Sequence, residues 1–523
     1  MEESQRFDDP VVVKKYSICS LRRLQDLIPA RVVLYFLSFT GFLVSFMMRM
    51  DINIAMVAMV KLPPPVIDDN SSSILVCYYQ GNGSDDSSDN ATMQEGEFDW
   101  DSTTQSTILS SFYWCYILSQ VAGGVLTQQF GTKAVFGISQ FVTAICSLFI
   151  PYAASVHYAF IILLRSIQGF ASGLTWPAMY AVVGHWIPAI ERSRFMSSFQ
   201  GFSFGIGLTY PLCGFLIAHF GWRVVFYVTG SLGVLWCLMW LLLAFDTPAL
   251  HPRITTTERN YIENSVGNTV VGDKGLPVPW RAIFTSMPAW SIGITTFGRI
   301  WIHYTFIIRG PMYMKTVLGF SIQKNGLLSG LPFLCSYVSS VFFCYLADEL
   351  VNRNILTLTS VRKIFTATSQ IIPGFLLLAI GYLGCNIELV LFAWFLAVTL
   401  ITASYAGAMA SIVDIAPNLA GPILAFAQTI HMSASFLSPL VAGFLLQDNQ
   451  YLENWLHVFW VSLIVSCVTY IPFQIFGTAD IQPWNYPNQK IPVSISELTE
   501  PLQMEKTMRK GESRRASGEA AEG

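Results

Sequence analysis

Charge is scarce in this chain: 12% of its 523 residues are Asp, Glu, Lys or Arg, about half the share of a soluble protein. That scarcity excludes a water-surrounded globule. Chemical signatures are missing as well. No G-x-x-x-x-G-K-[ST] loop, H-E-x-x-H or G-x-S-x-G occurs, so nucleotide-driven and hydrolytic chemistry has no anchor and no enzyme is expected. Gly205-Ile-Gly207 lies inside an apolar run rather than after a strand and reads as helix packing. The ten cysteines lack C-x-x-C spacing; no metal site or cofactor is expected, and most of them read as small packing residues. A net charge of -3 without a basic, aromatic-interleaved patch gives no sign of a nucleic-acid partner. Residues 1–30 are too polar for the apolar core of a cleavable signal peptide.

What the chain does have is hydrocarbon, with 53% hydrophobic residues. A spanning helix needs about 20 apolar residues, and twelve runs qualify, so the expected fold is an all-α polytopic membrane protein in two six-helix halves. The expected parts are a cytoplasmic tail (1–31), a first half (32–245), a Pro-rich cytoplasmic linker (246–290), a second half (291–477) and a second cytoplasmic tail (478–523). The outer loop 61–104 holds one basic residue, Lys61, many acids, and three glycosylation sequons at Asn70, Asn82 and Asn90. Three sequons in one loop on the basic-poor side of a span place it outside or in a lumen. Cys77 and Cys385 both fall in expected outer loops, where a disulfide between them is conceivable. Lys133, Arg353, Arg362 and Lys363 fall in loops on the side of the tails, as the positive-inside rule requires.

The halves echo each other. The second span of the first half ends through Gly124 and Gly131 to Lys133, and that of the second half ends through Asp348 to Arg353. Two such halves describe a parallel-repeat transporter whose site lies near the midplane between them. Within the spans stand Arg49 and Asp51 (first), Arg165 (fourth), Arg299, His303 and Arg309 (seventh) and His431 (eleventh). A guanidinium keeps its proton and is costly in hydrocarbon, so it faces a wet cavity or a partner. Arg165, Gly169, Ser172 and Trp176 share one helical face, while Gly169 and Gly173 form a G-x-x-x-G pair that admits a neighbouring helix. Two readings stand for Arg165: a structural arginine tied to carbonyls, or part of an anion site. Two also stand for Asp51: neutralising Arg49, or pointing elsewhere, since residues two apart do not face each other.

Ser111-Phe-Tyr-Trp-Cys-Tyr116 with Gln120 and Gly123-Gly124, the Arg165…Gln168-Gly169…Gly173…Pro177-Ala178 run, Glu191-Arg-Ser-Arg194, Gly221-Trp222 and Asp414-Ile-Ala-Pro417 resemble the signatures of a known family. It is the sialin, vesicular glutamate and sodium-phosphate transporter family, solute carrier family seventeen of the major facilitator superfamily, and the likeness covers nearly the whole chain. The resemblance implies alternating-access anion transport, with the family's anion-handling arginines at Arg49, Arg165 and Arg299. It also marks Gly124, Gly131, Asp348, Arg353 and Asp414 as gating or structural motif positions. The chain departs from the family at Ser172, where a glutamate often stands, at Leu109 for a histidine, and at Ser411-Ile412 for Asn-His. These departures turn the expectation from vesicular glutamate transport toward the phosphate and sialin-like branches.

The expected function is cation-coupled symport, with sodium or a proton, of inorganic phosphate or a small organic anion. The alternatives are potential-driven organic-anion transport in an organelle, an anion channel, and a non-transporting sensor. Expected substrate contacts are Arg49, Arg165, Arg299, Ser172, Trp176 and His303, with Asp51 for coupling. The expected partners are a small anion and the lipid bilayer, for a monomer. Both tails lack acidic dileucine signals, which favours the plasma membrane over lysosomal or vesicular membranes.

Overall fold

The computed structural model describes residues 29–61, 96–187, 195, 197–270, 278–416, 419–447 and 451–485. Asn70, Asn82, Asn90 and Cys77 lie outside these residues. Cys385 is disulfide-bonded.

Twelve helical rods run through the described residues. In the first half these are α1 (Ala30–Met59), α2 (Ser102–Phe130), α3 (Thr132–Val156), α4 (Tyr158–Gly173 continued by Thr175–Trp186), α5 (Gly201–Phe220) and α6 (Trp222–Leu243). In the second they are α7 (Met287–Tyr304, continued through a π turn by Gly310–Thr316), α8 (Ile322–Asn352), α9 (Leu358–Leu383) and α10 (Ile387–Ile401 and Ala408–Ile415). The last two are α11 (Ala420–Met432 and Ala434–Leu445) and α12 (Leu452–Phe476). Ten of the twelve are long and apolar enough to cross a membrane. The other two are α2, rich in Ser, Thr and Gln, and α7, whose run is broken by Arg299, His303 and Arg309. Leu118, Leu242 and Phe444 are 74, 75 and 73% exposed; bare apolar side chains of that size belong against lipid.

Small residues set the closest crossings. A Cβ on Gly169 would collide with the Phe112 carbonyl, and one on Gly173 with Ser119 Oγ, so the G-x-x-x-G pair does bring α4 onto α2. Gly131, at φ +79°, makes the turn from α2 into α3. There Asp246 caps the new helix by accepting from the Lys133 amide at 2.7 Å, which suits the positive end of a helix dipole. The position of Gly124 is open, with nothing within 4 Å of where a side chain would start.

The halves meet unevenly. Among the described residues, the hydrogen bonds that join them run from Arg49 to Tyr304, Tyr210 to the Ile307 carbonyl, Ser110 to the Phe436 carbonyl and Arg309 to Ser106. All lie between the middle of the bundle and the end opposite the chain termini. That far end is closed. Among the described residues, no such hydrogen bond joins the halves at the end nearer the termini.

Candidate functional site

Between the halves lies a cavity of about 310 Å³. Its depth is set by Arg49 of α1 and Ile307 of α7, and its sides reach Phe199, Gln200 and Leu424 near the termini end. Arg49, Trp176, Arg299 and His303 stand together in its wall, with His431 of α11. Among the described residues, no carboxylate lines it. The cavity is therefore cationic and otherwise mostly apolar and aromatic.

The two arginines are held differently. Arg49 is 3% exposed and boxed by Phe46, Phe112, Tyr113, Tyr116 and Tyr304, whose ring centres lie 4.6–5.8 Å from its guanidinium carbon. Aromatic faces stabilise a cation without neutralising it, and Nη2 also donates to the Tyr304 hydroxyl at 2.8 Å. Arg299 makes no hydrogen bond or ion pair with any described residue. The Nδ1 atoms of His303 and His431 are likewise unpartnered. A buried guanidinium with idle donors is expensive unless something fills them, and its planar fork suits a carboxylate or phosphate.

The other sequence-selected residues lie behind the wall. Arg165 is 1% exposed and donates to Gln168 Oε1 at 3.1 Å and to the Arg49 carbonyl at 3.2 Å, with its guanidinium over the Phe112 ring. It braces the helix that carries Arg49. Ser172 Oγ sits 3.3 Å from Thr143 Oγ1 on α3. Asp51 is sealed between α1, α3 and α6, accepting from Thr229 at 2.8 Å and Ser147 at 3.5 Å. Of its two sequence readings, the one pointing away from Arg49 describes the geometry. Asp51 is the one carboxylate buried among the described residues.

Motif residues at the termini end pair locally. Asp414 receives Arg362 Nε at 2.7 Å, and Arg362 also donates to the Ala406 carbonyl, tying α9 to α10. Arg353 pairs with Glu349 at 2.5 Å rather than with Asp348, which is exposed. Tyr304, Tyr405, Gln200 and Gln428 add neutral polar groups to the wall. Neutral side chains carry no sequence signal of this kind, although Tyr304 adjoins His303.

The sequence profile of the Major Facilitator Superfamily matches residues 37–371. Vesicular glutamate transporter 3 of Danio rerio is 34% identical over 464 residues, covering 88% of this chain and 75% of that protein. Vesicular glutamate transporter 1 of Bos taurus is 33% identical, covering 88% and 79%, and vesicular glutamate transporter 2 of Homo sapiens is 33% identical, covering 88% and 76%. Among solved structures, a bacterial homologue of the human lysosomal transporter Spinster, inward-facing and unoccupied, superposes with a TM-score of 0.64 at 12% identity, covering 87% of this chain and 99% of that one. A D-xylose–proton symporter gives 0.57 at 15% identity, covering 89% and 100%. These two carry the fold alone. With the profile and the relatives together, the chain belongs to the Major Facilitator Superfamily and, within it, to solute carrier family seventeen: a multi-pass membrane transporter rather than an enzyme.

Proposed function

We propose that the protein carries a small organic anion by alternating access, with the anion's carboxylate received by Arg299 and Arg49. The observation that supports this is an Arg299 guanidinium without a partner, in a cavity wall without acids, among the described residues. The aromatic and methionine lining of a space of about 310 Å³ favours an anion with a carbon body over bare phosphate, because apolar walls contribute to binding only where carbon meets them. The closed far end and the cavity reaching toward the termini correspond to a carrier open to the cytoplasm, taking the termini side as cytoplasmic from the basic loops.

Coupling to a proton or sodium ion is assigned to Asp51, with the anion's arrival relayed through Arg49 and Arg165. The relatives are vesicular by name, and nothing in them supports the plasma membrane, so an organelle membrane is the better proposal. The test is uptake of radiolabelled glutamate, sialate, urate and phosphate into proteoliposomes under imposed sodium gradients, proton gradients or potential. Concentrative uptake of an organic anion supports the reading; uptake of phosphate alone overturns it. A tag beside Asn82 reached only after cells are permeabilised supports the organelle assignment.

A further inference from the structure

On the outer flank of the second half, α9 and α12 leave a groove of about 390 Å³. One wall is a stripe of α9 at helical spacing, running from Ser360 and Lys363 to Ile371 and Ile372, about 18 Å of helix. Tyr470 and Gln474 of α12 close the end nearer the termini. The groove is thus polar and cationic at its membrane-surface end and aliphatic toward the midplane. Lys363 gives one N–H to the Gln474 carbonyl at 2.9 Å, and no carboxylate among the described residues pairs with it. An ammonium has three such donors.

The first half shows what this position looks like when protein fills it. There α3 and α6 occupy the equivalent places, Trp236 and Trp240 stack 5.4 Å apart and are 2% and 1% exposed, and Trp240 Nε1 donates to the Lys133 carbonyl at 3.0 Å. In the second half the Tyr470 hydroxyl approaches the Lys363 carbonyl in the same way, at 3.2 Å. A phenol stands where the indole does, and the space remains.

We propose that this groove holds one anionic glycerophospholipid, its phosphate beside Lys363 and an acyl chain along Ile364, Ile371 and Ile372. The charge is complementary, and the basic loops at this end match the leaflet where anionic lipids concentrate. Native mass spectrometry of the full chain in mild detergent, with phosphatidylglycerol or phosphatidylcholine added, tests it. The expected result is one retained lipid, with phosphatidylglycerol favoured about fivefold. Lys363→Ala abolishes the preference and Lys363→Arg keeps it. Ile371→Trp, filling the groove as the indoles do in the first half, removes retention of both lipids. Equal retention of the two lipids, retention unchanged in Lys363→Ala or Ile371→Trp, or displacement by millimolar inorganic phosphate overturns the proposal.

Discussion

The Arg49 guanidinium on α1 reaches across the plane dividing the halves and donates to the Tyr304 hydroxyl on α7 at 2.8 Å. The bond both orients a cavity cation and ties the two halves together at the base of the cavity. Hydrogen bonds to charged groups contribute roughly 1.5–3 kcal/mol. Tyr304→Phe removes the hydroxyl and leaves the ring over the cation. Uptake is expected to fall about tenfold or more at unchanged surface amount, measured as initial rates in proteoliposomes.

Arg299 has no hydrogen-bond or ion-pair partner to lose among the described residues, so its replacement isolates the substrate contact. Arg299→Ala is expected to lower uptake about thirtyfold or more while leaving thermal melting in detergent nearly unchanged. Arg299→Lys is expected to recover only a minor part, since a point cation lacks the planar fork. Melting that drops by many degrees in Arg299→Ala would show a structural arginine instead.

Arg309 is 1% exposed and sits in the π turn of α7. It donates to Ser106 Oγ on α2 and to the Pro439 carbonyl on α11 at 2.9 Å. Through these two bonds one side chain links three helices where α2 meets α11, while Nε and Nη1 have no partner among the described residues. Arg309→Gln is expected to loosen this closure and raise labelling of a cysteine introduced into the cavity wall (Met432→Cys) by an impermeant reagent from the far side about tenfold. Unchanged labelling would assign the closure to helix packing alone.

Asp51→Asn keeps the shape and removes the charge. Anion exchange with substrate on both sides is expected to persist, while uptake driven by a proton or sodium gradient falls to the exchange-only level. Full gradient-driven uptake in Asp51→Asn would place coupling elsewhere.

Gly169 has no room for a side chain against the Phe112 carbonyl. Gly169→Ala is expected to destabilise the first half by about 1–3 kcal/mol, read as a lowered melting temperature in detergent.

The rods and the crossing of α4 on α2 were legible in the sequence because hydrocarbon length and glycine spacing are local signals. Arg49, Arg299 and His303 stood out in the sequence as ionisable groups inside apolar runs, alongside Arg165, whereas Trp176 was picked out only by sharing a helical face with Arg165 and Ser172. The placement of Arg165 was not legible. Its helical face is readable, but whether that face meets the cavity or the back of α1 depends on how α4 rotates against its neighbours. Ser172 turned with it, toward Thr143. Tyr304 and Tyr405 gave no signal, since a tyrosine in a span is ordinary until its neighbours are known.

A cavity lined by two guanidiniums and no acid has an electrical consequence. The unloaded carrier exposes uncancelled positive charge, whereas the loaded one has part of it cancelled by the cargo. Moving one elementary charge through 100 mV involves about 2.3 kcal/mol, so voltage acts most strongly on the step in which the protein returns without cargo. On the proposed function, substrate-for-substrate exchange returns all charge to its starting side and so is not driven by the membrane potential, whereas net accumulation of the anion moves charge in every cycle and is.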